Sequence, residues 1–241
     1  MRILILGGTS EARALAGRLV ALGHAVVTSL AGRTQHPLLP AGGLRVGKFG
    51  GVPGLVAYLR AARIERLVDA THPYAGLISS NAVAAAQQTG IPLVRYMRPA
   101  WDEPEGAGWR HVPDIAAAAR LLPSGASVLV TSGHEGLAAL LARDDCRLVV
   151  RLIEPPETPL PPHARLLLAR PPYGIEGERA LFAREGITHL VTKNSGGEQI
   201  AAKLDAAREA GAEVVMIARP AYGPAREVGS VEAAVAAVLG R

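Results

Sequence analysis

The sequence predicts an α/β protein made of two Rossmann-like domains, each a parallel sheet flanked by helices, with a ligand cleft between them. Three observations carry this. Apolar runs of strand length alternate with segments of helical periodicity along all 241 residues. The first of these runs ends in a glycine pair that opens a helix. The second half of the chain echoes the first.

The run Arg2-Ile3-Leu4-Ile5-Leu6 is continuously apolar after its first residue and stops at Gly7-Gly8, as a strand buried on both faces should. Residues 10–22 place Ala12, Leu15, Ala16, Leu19 and Val20 on one helical stripe, closed by Gly23. Residues 25–30 return as a strand, completing a βαβ unit. Further strands are expected at 44–46, 67–70, 93–96, 128–131, 147–152, 164–168, 189–192 and 214–218. Helices are expected at 54–62, 76–89, 114–122, 135–142, 178–185, 198–210 and 231–239.

Shifted by 121 residues, 66–101 aligns without gaps on 187–222, with nine identities in 36 positions. The ordered Arg98-Pro99-Ala100-Trp101 falls on Arg219-Pro220-Ala221-Tyr222. Two βαβ units resemble one another in any case, but the shared order of strand, Thr, loop, helix, Gly and strand favours two related halves. The domains are therefore expected at 1–100 and 114–241, joined by a linker at about 101–113 where Pro99, Pro104, Gly106, Gly108 and Pro113 concentrate.

Composition narrows the function. The single cysteine, Cys146, cannot close an internal disulfide, which fits a reducing, cytoplasmic setting. The apolar start is too short for a signal-peptide core, and no run reaches the roughly 18 residues needed to span a membrane. The net charge is +5, with 26 Lys+Arg against 21 Asp+Glu, which favours an anionic partner. Basic residues form no block and only 4% of the chain is aromatic, so a small polyanion fits better than nucleic acid. No acidic residue lies between Glu11 and Glu65. The seven histidines show no metal-ligand spacing, and neither a P-loop nor a nucleophile elbow is present; no metal is expected.

Gly7-Gly8-Thr9-Ser10-Glu11-Ala12 stands where a dinucleotide fingerprint belongs, although Thr9 replaces its second glycine. Glycines let the backbone approach a pyrophosphate, and the hydroxyls of Thr9 and Ser10 could donate to it. The alternative is a plain strand–helix turn capped by Thr9 or Ser10. An NAD site places an acid about 20 residues on; here the segment is Thr28-Ser29-Leu30-Ala31-Gly32-Arg33-Thr34. Ser29, Arg33 and Thr34 suit a 2′-phosphate, so NADPH is expected over NADH. Two loops follow strands in equivalent places of the two halves: Asp69 to Ala75, containing Thr71-His72-Pro73-Tyr74, and Thr192-Lys193-Asn194-Ser195-Gly196-Gly197, a candidate anion nest. Ser132-Gly133-His134-Glu135 is a third. His72 could donate a proton, or be an ordinary polar loop residue.

The signatures Ile5 to Ala12, Asp69 to Ala75 and Thr192 to Gly197, with Lys203 to Ala207 and Arg219-Pro220, resemble the precorrin-6A reductase family over essentially the whole chain. That resemblance implies two Rossmann-like domains with cofactor and substrate between them, and a strand exchanged between the domains. It implies hydride transfer from NADPH to C19 of the precorrin-6A macrocycle, reducing the C18–C19 double bond to give precorrin-6B in cobalamin biosynthesis. A related branch acts on cobalt-precorrin-6A, and the sequence does not separate the two. A polycarboxylate tetrapyrrole agrees with the arginine-rich composition, and handover from neighbouring pathway enzymes is consistent with it.

Gly7, Gly8, Thr9 and Ser10 are then expected on the pyrophosphate, Ser29 and Arg33 on the 2′-phosphate, and Thr71, His72, Pro73 and Tyr74 on the nicotinamide side. Lys193, Asn194, Ser195, Gly196 and Gly197, with Ser132 and Gly133, are expected to face substrate. Arg98 and Arg219 either pair with its carboxylates or tie down strand ends. Bound water, His72 or Lys193 supplies the proton to C18. A non-catalytic NADP(H) sensor is the rival from another class. A short-chain-type reductase is disfavoured because no Tyr has Lys four residues on.

Overall fold

A computed structural model describes residues 1–32 and 38–240. Among these, the chain forms two compact units, residues 1–99 with 220–241 and residues 100–219.

Unit 1 contains β1 (Arg2–Leu6), α1 (Ser10–Ala21), β2 (Ala25–Leu30), β3 (Gly43–Val46), α2 (Gly51–Ala61), β4 (Arg66–Asp69), α3 (Gly76–Thr89) and β5 (Leu93–Tyr96). Its sheet also takes a strand from the C-terminal end of the chain, β12 (Arg226–Val228), which precedes α8 (Val231–Val238). The strand order is β12-β5-β4-β1-β2-β3, all parallel. Alternation along β1 sends Ile3 and Ile5 to one face, with Ala12, Leu15, Ala16 and Leu19 of α1 and Ala234, Ala237 and Val238 of α8. Leu4 and Leu6 go to the other face, against Leu55, Val56 and Leu59 of α2 and Ala82 and Ala85 of α3. Each such leucine or isoleucine contributes about 1.5–3 kcal/mol on burial, and the double-sided packing explains why β1 is apolar after Arg2.

Unit 2 contains β6 (Arg110–Val112), α4 (Ile115–Leu121), β7 (Ser127–Val130), α5 (Leu137–Leu141), β8 (Arg147–Leu152), β9 (Ala164–Leu168), α6 (Ile175–Glu185), β10 (His189–Lys193), α7 (Ala202–Glu209) and β11 (Glu213–Ile217). Its order, β6-β11-β10-β7-β8-β9, is also all parallel and repeats that of unit 1 strand for strand. Leu129, Val149, Leu190, Val214 and Met216 pack against Leu181, Phe182, Ala206 and Ala207 of α6 and α7.

The expected division at 1–100 and 114–241 differs from the observed one at both ends. The C-terminal strand and helix complete unit 1, because α8 buries its apolar stripe beside α1. Residues 101–113 form part of unit 2 rather than a linker: Trp109 is a member of its core, Trp101 and Ala107 pack against that core, and β6 pairs with β11. Thus β12, reached through unit 2, closes the sheet of unit 1, while β6, the first strand of the continuous unit 2, closes the sheet of its own unit.

Candidate functional site

In unit 1, loops at the carboxyl ends of β1, β4 and β5 come together, where open parallel sheets bind ligands. Gly7 is required for a close approach: a Cβ there would lie 2.7 Å from Thr28 Cγ2. Gly8 has φ +114°, a backbone conformation that only glycine takes without strain, with open space where a side chain would stand. Ala12, the third fingerprint position, is fully buried beneath the turn. Thr28 Oγ1, beside this turn, is buried and has no hydrogen-bond partner among the described residues. Ser29 is buried at the end of β2, where Arg45 Nη1 donates to its Oγ at 3.3 Å.

Thr9 is the N-cap of α1. Its Oγ1 accepts from Ala12 N at 3.1 Å and donates to Ala70 O at 2.9 Å. Ser10 Oγ donates to Glu11 at 3.0 Å. The Thr9 hydroxyl thus caps α1 and joins it to the residue that follows β4. Glu11 accepts from Arg98 Nη1 at 3.0 Å. Burial pushes the Glu11 carboxyl up, but its own backbone N–H, Arg98 and Ser10 outweigh burial and hold it below the ordinary range. Thr9, Glu11, Thr71, Pro73, Tyr96 and Arg98 line one small hollow. Burial pushes the Tyr96 phenol up, and the nearby Glu11 charge adds to this.

The loop after β4 is fixed from below. Asp69, almost fully buried, accepts from Thr71 Oγ1 at 2.7 Å and from Thr71 N at 3.3 Å. Arg95, equally buried, reaches Asp69 Oδ2 at 3.5 Å and Glu227 Oε1 at 2.9 Å, and donates to Gly223 O at 3.1 Å. Tyr222 lies over the Arg95 guanidinium at 4.9 Å and donates its hydroxyl proton to Pro73 O at 2.6 Å. His72 is exposed, and Tyr74 N donates to its Nδ1 at 3.2 Å. Nδ1 is then the acceptor of the ring, which leaves the neutral imidazole's proton on Nε2.

In unit 2 the loop after β10 is held in a parallel manner. Asn194 Oδ1 accepts from Trp101 N at 2.8 Å, and its Nδ2 donates to Trp101 O at 3.1 Å. Trp101 Nε1 donates to Gly197 O at 3.2 Å, and the buried Lys203 places Nζ 4.9 Å from the Trp101 ring. Arg219 Nε donates to Asn194 O at 2.7 Å, and Ser195 is buried beside Gly196. Lys193 Nζ stands 4.0 Å from Glu135. Ser132, on the loop after β7, is buried with its Oγ unpartnered among the described residues, next to Gly133. On β8, Arg151 is buried against Glu178 at 2.9 Å and under the Tyr173 ring at 4.4 Å.

The family model described as precorrin-6x reductase CbiJ/CobK matches residues 2–239. The chain belongs to the precorrin-6x reductase family. A precorrin-6A reductase of Rhodococcus erythropolis is 48% identical over 98% of this chain and 96% of that protein. One from Rhodobacter capsulatus is 45% identical over 94% and 91%. A solved structure titled CobK precorrin-6A reductase superposes with a TM-score of 0.94 at 42% identity, covering 100% of this chain and 96% of that one. Membership makes the chain a reductase of cobalamin biosynthesis.

Within this family member the sequence-derived sites fall into two groups. Gly7, Gly8, Thr9, Ser10, Ser29, Thr71, His72, Pro73, Tyr74 and Arg98 lie in unit 1; Ser132, Gly133, Lys193 to Gly197 and Arg219 lie in unit 2. Arg33 and Thr34 lie outside the described residues. Arg98 and Arg219 both hold fold elements, through Glu11 and the Asn194 carbonyl respectively. The sequence places Arg45 in the basic, acid-free stretch between Glu11 and Glu65 but does not pair it with Ser29, and it does not point to Glu11, Asp69 and Arg95 as partners of the site. For Arg95 and Asp69 a signal was present: charged residues inside otherwise apolar parallel strands need partners.

Proposed function

We propose that the chain reduces the C18–C19 double bond of precorrin-6A with NADPH, delivering hydride to C19 and a proton to C18, and releases precorrin-6B and NADP+. The supporting observation, beside family membership, is the end of β2. A Gly7-Gly8 turn shaped for close backbone approach sits beside a strand end that carries Ser29 and no acid.

The nicotinamide, when bound, supplies the hydride; the protein binds, orients and excludes water. Gly7, Gly8 and the N-terminus of α1, with Ser10, take the pyrophosphate. Ser29 and Arg33 take the 2′-phosphate. Thr71, His72, Pro73 and Tyr74 lie along the nicotinamide side, on a loop that Asp69, Arg95 and Tyr222 hold in one shape. Lys193 to Gly197, with Ser132 and Gly133, take the macrocycle's carboxylates from unit 2. The proton for C18 comes from His72, Lys193 or a bound water.

The test is anaerobic. Purified protein is mixed with NADPH and precorrin-6A, the NADPH absorbance is followed, and the product mass is measured. Loss of NADPH with a gain of two hydrogens supports the reading. Turnover only with cobalt-precorrin-6A moves the chain to the cobalt branch. Tight binding of NADPH with no turnover of either substrate overturns the catalytic reading in favour of a sensor.

A further inference from the structure

We propose that Arg45 and Ser29 together form a subsite that recognises the 2′-phosphate of NADP(H), so that a discriminating cation comes from β3 in addition to Arg33 of the segment after β2. The inference rests on the cofactor reading above and adds to it a residue that the fingerprint does not point to.

Arg45 is the direct register partner of Ser29 in the parallel β2–β3 ladder. Ser29 occupies the strand end at which an NAD site carries its ribose-binding acid. Arg45 therefore stands one strand away from the ribose position, and its Nη1 already reaches the Ser29 hydroxyl at 3.3 Å. The side chain is held in place. Nη1 donates to Gly47 O at 2.5 Å and Nη2 to Lys48 O at 2.9 Å, and the guanidinium lies 3.8 Å from the centre of the Phe49 ring and 5.4 Å from that of Tyr58. A guanidinium carries five N–H donors. Three are used on Ser29, Gly47 and Lys48, which leaves Nε–H and one Nη2–H without an acceptor among the described residues. A planar cation fixed by three bonds and an aromatic surface, with donors remaining, is preorganised for a phosphate dianion.

The surrounding charge agrees. No acid occurs between Glu11 and Glu65, so nothing acidic from β2, β3 or their loops competes for Arg45. Lys48 is exposed just past the end of β3 at Val46 and adds a second positive charge. A purely structural Arg45 would tie the turn at Gly47 and Lys48 and leave cofactor choice untouched.

The experiment measures dissociation constants for 2′,5′-ADP and 5′-AMP by calorimetry on the full chain, as wild type and as Arg45→Gln, Ser29→Ala and Arg33→Ala. Gln keeps an aliphatic stem over Phe49. In the wild type 2′,5′-ADP is expected to bind more tightly than 5′-AMP. Arg45→Gln is expected to shrink that ratio by roughly 10–100-fold, the effect of charge-assisted hydrogen bonds, with 5′-AMP affinity nearly unchanged. Ser29→Ala is expected to shrink it by about threefold to tenfold, and serves if Arg45→Gln does not fold. A wild type that does not distinguish the two ligands overturns the NADPH reading itself. A wild type that does, with the ratio retained in Arg45→Gln, or in Ser29→Ala where that is the folded variant, overturns the Arg45–Ser29 assignment alone; loss only in Arg33→Ala then gives the role to Arg33.

Discussion

The hydroxyl of Tyr222 donates to the carbonyl oxygen of Pro73 across 2.6 Å, linking residues 149 apart in the chain. Trp101, which aligns with Tyr222 in the internal repeat, donates in the same sense to Gly197. Each Arg-Pro-Ala-aromatic segment thus ends on an aromatic that holds one of the two signature loops.

Replacing Tyr222 with Phe removes this bond and keeps the ring over Arg95. The expected stability loss is about 1 kcal/mol. Because the bond holds Pro73, kcat/KM is expected to fall by roughly tenfold, more than so small a stability loss would produce. Thermal unfolding and steady-state kinetics on the same preparation check the two together.

Gly7→Ala forces a methyl group to 2.7 Å from Thr28 Cγ2. Overpacking of this kind costs about 1–3 kcal/mol. Thr28→Ser removes the opposing methyl, so the double variant should recover part of the loss. A double-mutant cycle by urea unfolding reads the coupling, and strictly additive losses would show that the close contact is not the cause.

Arg95→Met strands the buried Asp69 carboxylate. Removing one member of a buried pair costs about 3–5 kcal/mol. Arg95→Met combined with Asp69→Asn should be less destabilised than Arg95→Met alone, as measured by chemical denaturation.

Glu11 is held below its ordinary pKa despite its burial. A depressed carboxyl contributes stability above its unfolded pKa and loses that contribution as pH falls through the folded value. Wild type should therefore lose more Tm than Glu11→Gln between about pH 6 and about pH 3. Parallel melting curves for the two proteins across that interval would contradict the Glu11–Arg98 coupling.

Among the described residues, the ten longer strands and all eight α-helices were legible within a few residues, because each of these strands concentrates branched apolar residues in a short stretch and the helices carry their stripes. The strands that escaped were β6 and β12. Each has three residues and reads Arg-His-Val or Arg-Glu-Val, so neither presents an apolar run. Missing them also misplaced the domain boundaries, since residues 101–113 look like a linker by their prolines and glycines until Trp109 is seen in a core. The Gly7-Gly8 turn and a Thr9 cap were readable from residue type, whereas the donation of the Thr9 hydroxyl was not: its partner, Ala70 O, is a backbone atom 61 residues away. Arg45 was hidden for the same reason, since only strand pairing brings it to Ser29.

The return of β12 to unit 1 has a consequence for how the polypeptide can be cut and rejoined. Residues 1–99 lack the strand and helix that finish their sheet, so a gene truncated there encodes an open edge beside an uncovered α1. A circular permutant that starts at Ala100, joins Arg241 to Met1 through a flexible spacer and ends at Pro99 would instead make each unit one uninterrupted stretch, with a single covalent passage from one to the other.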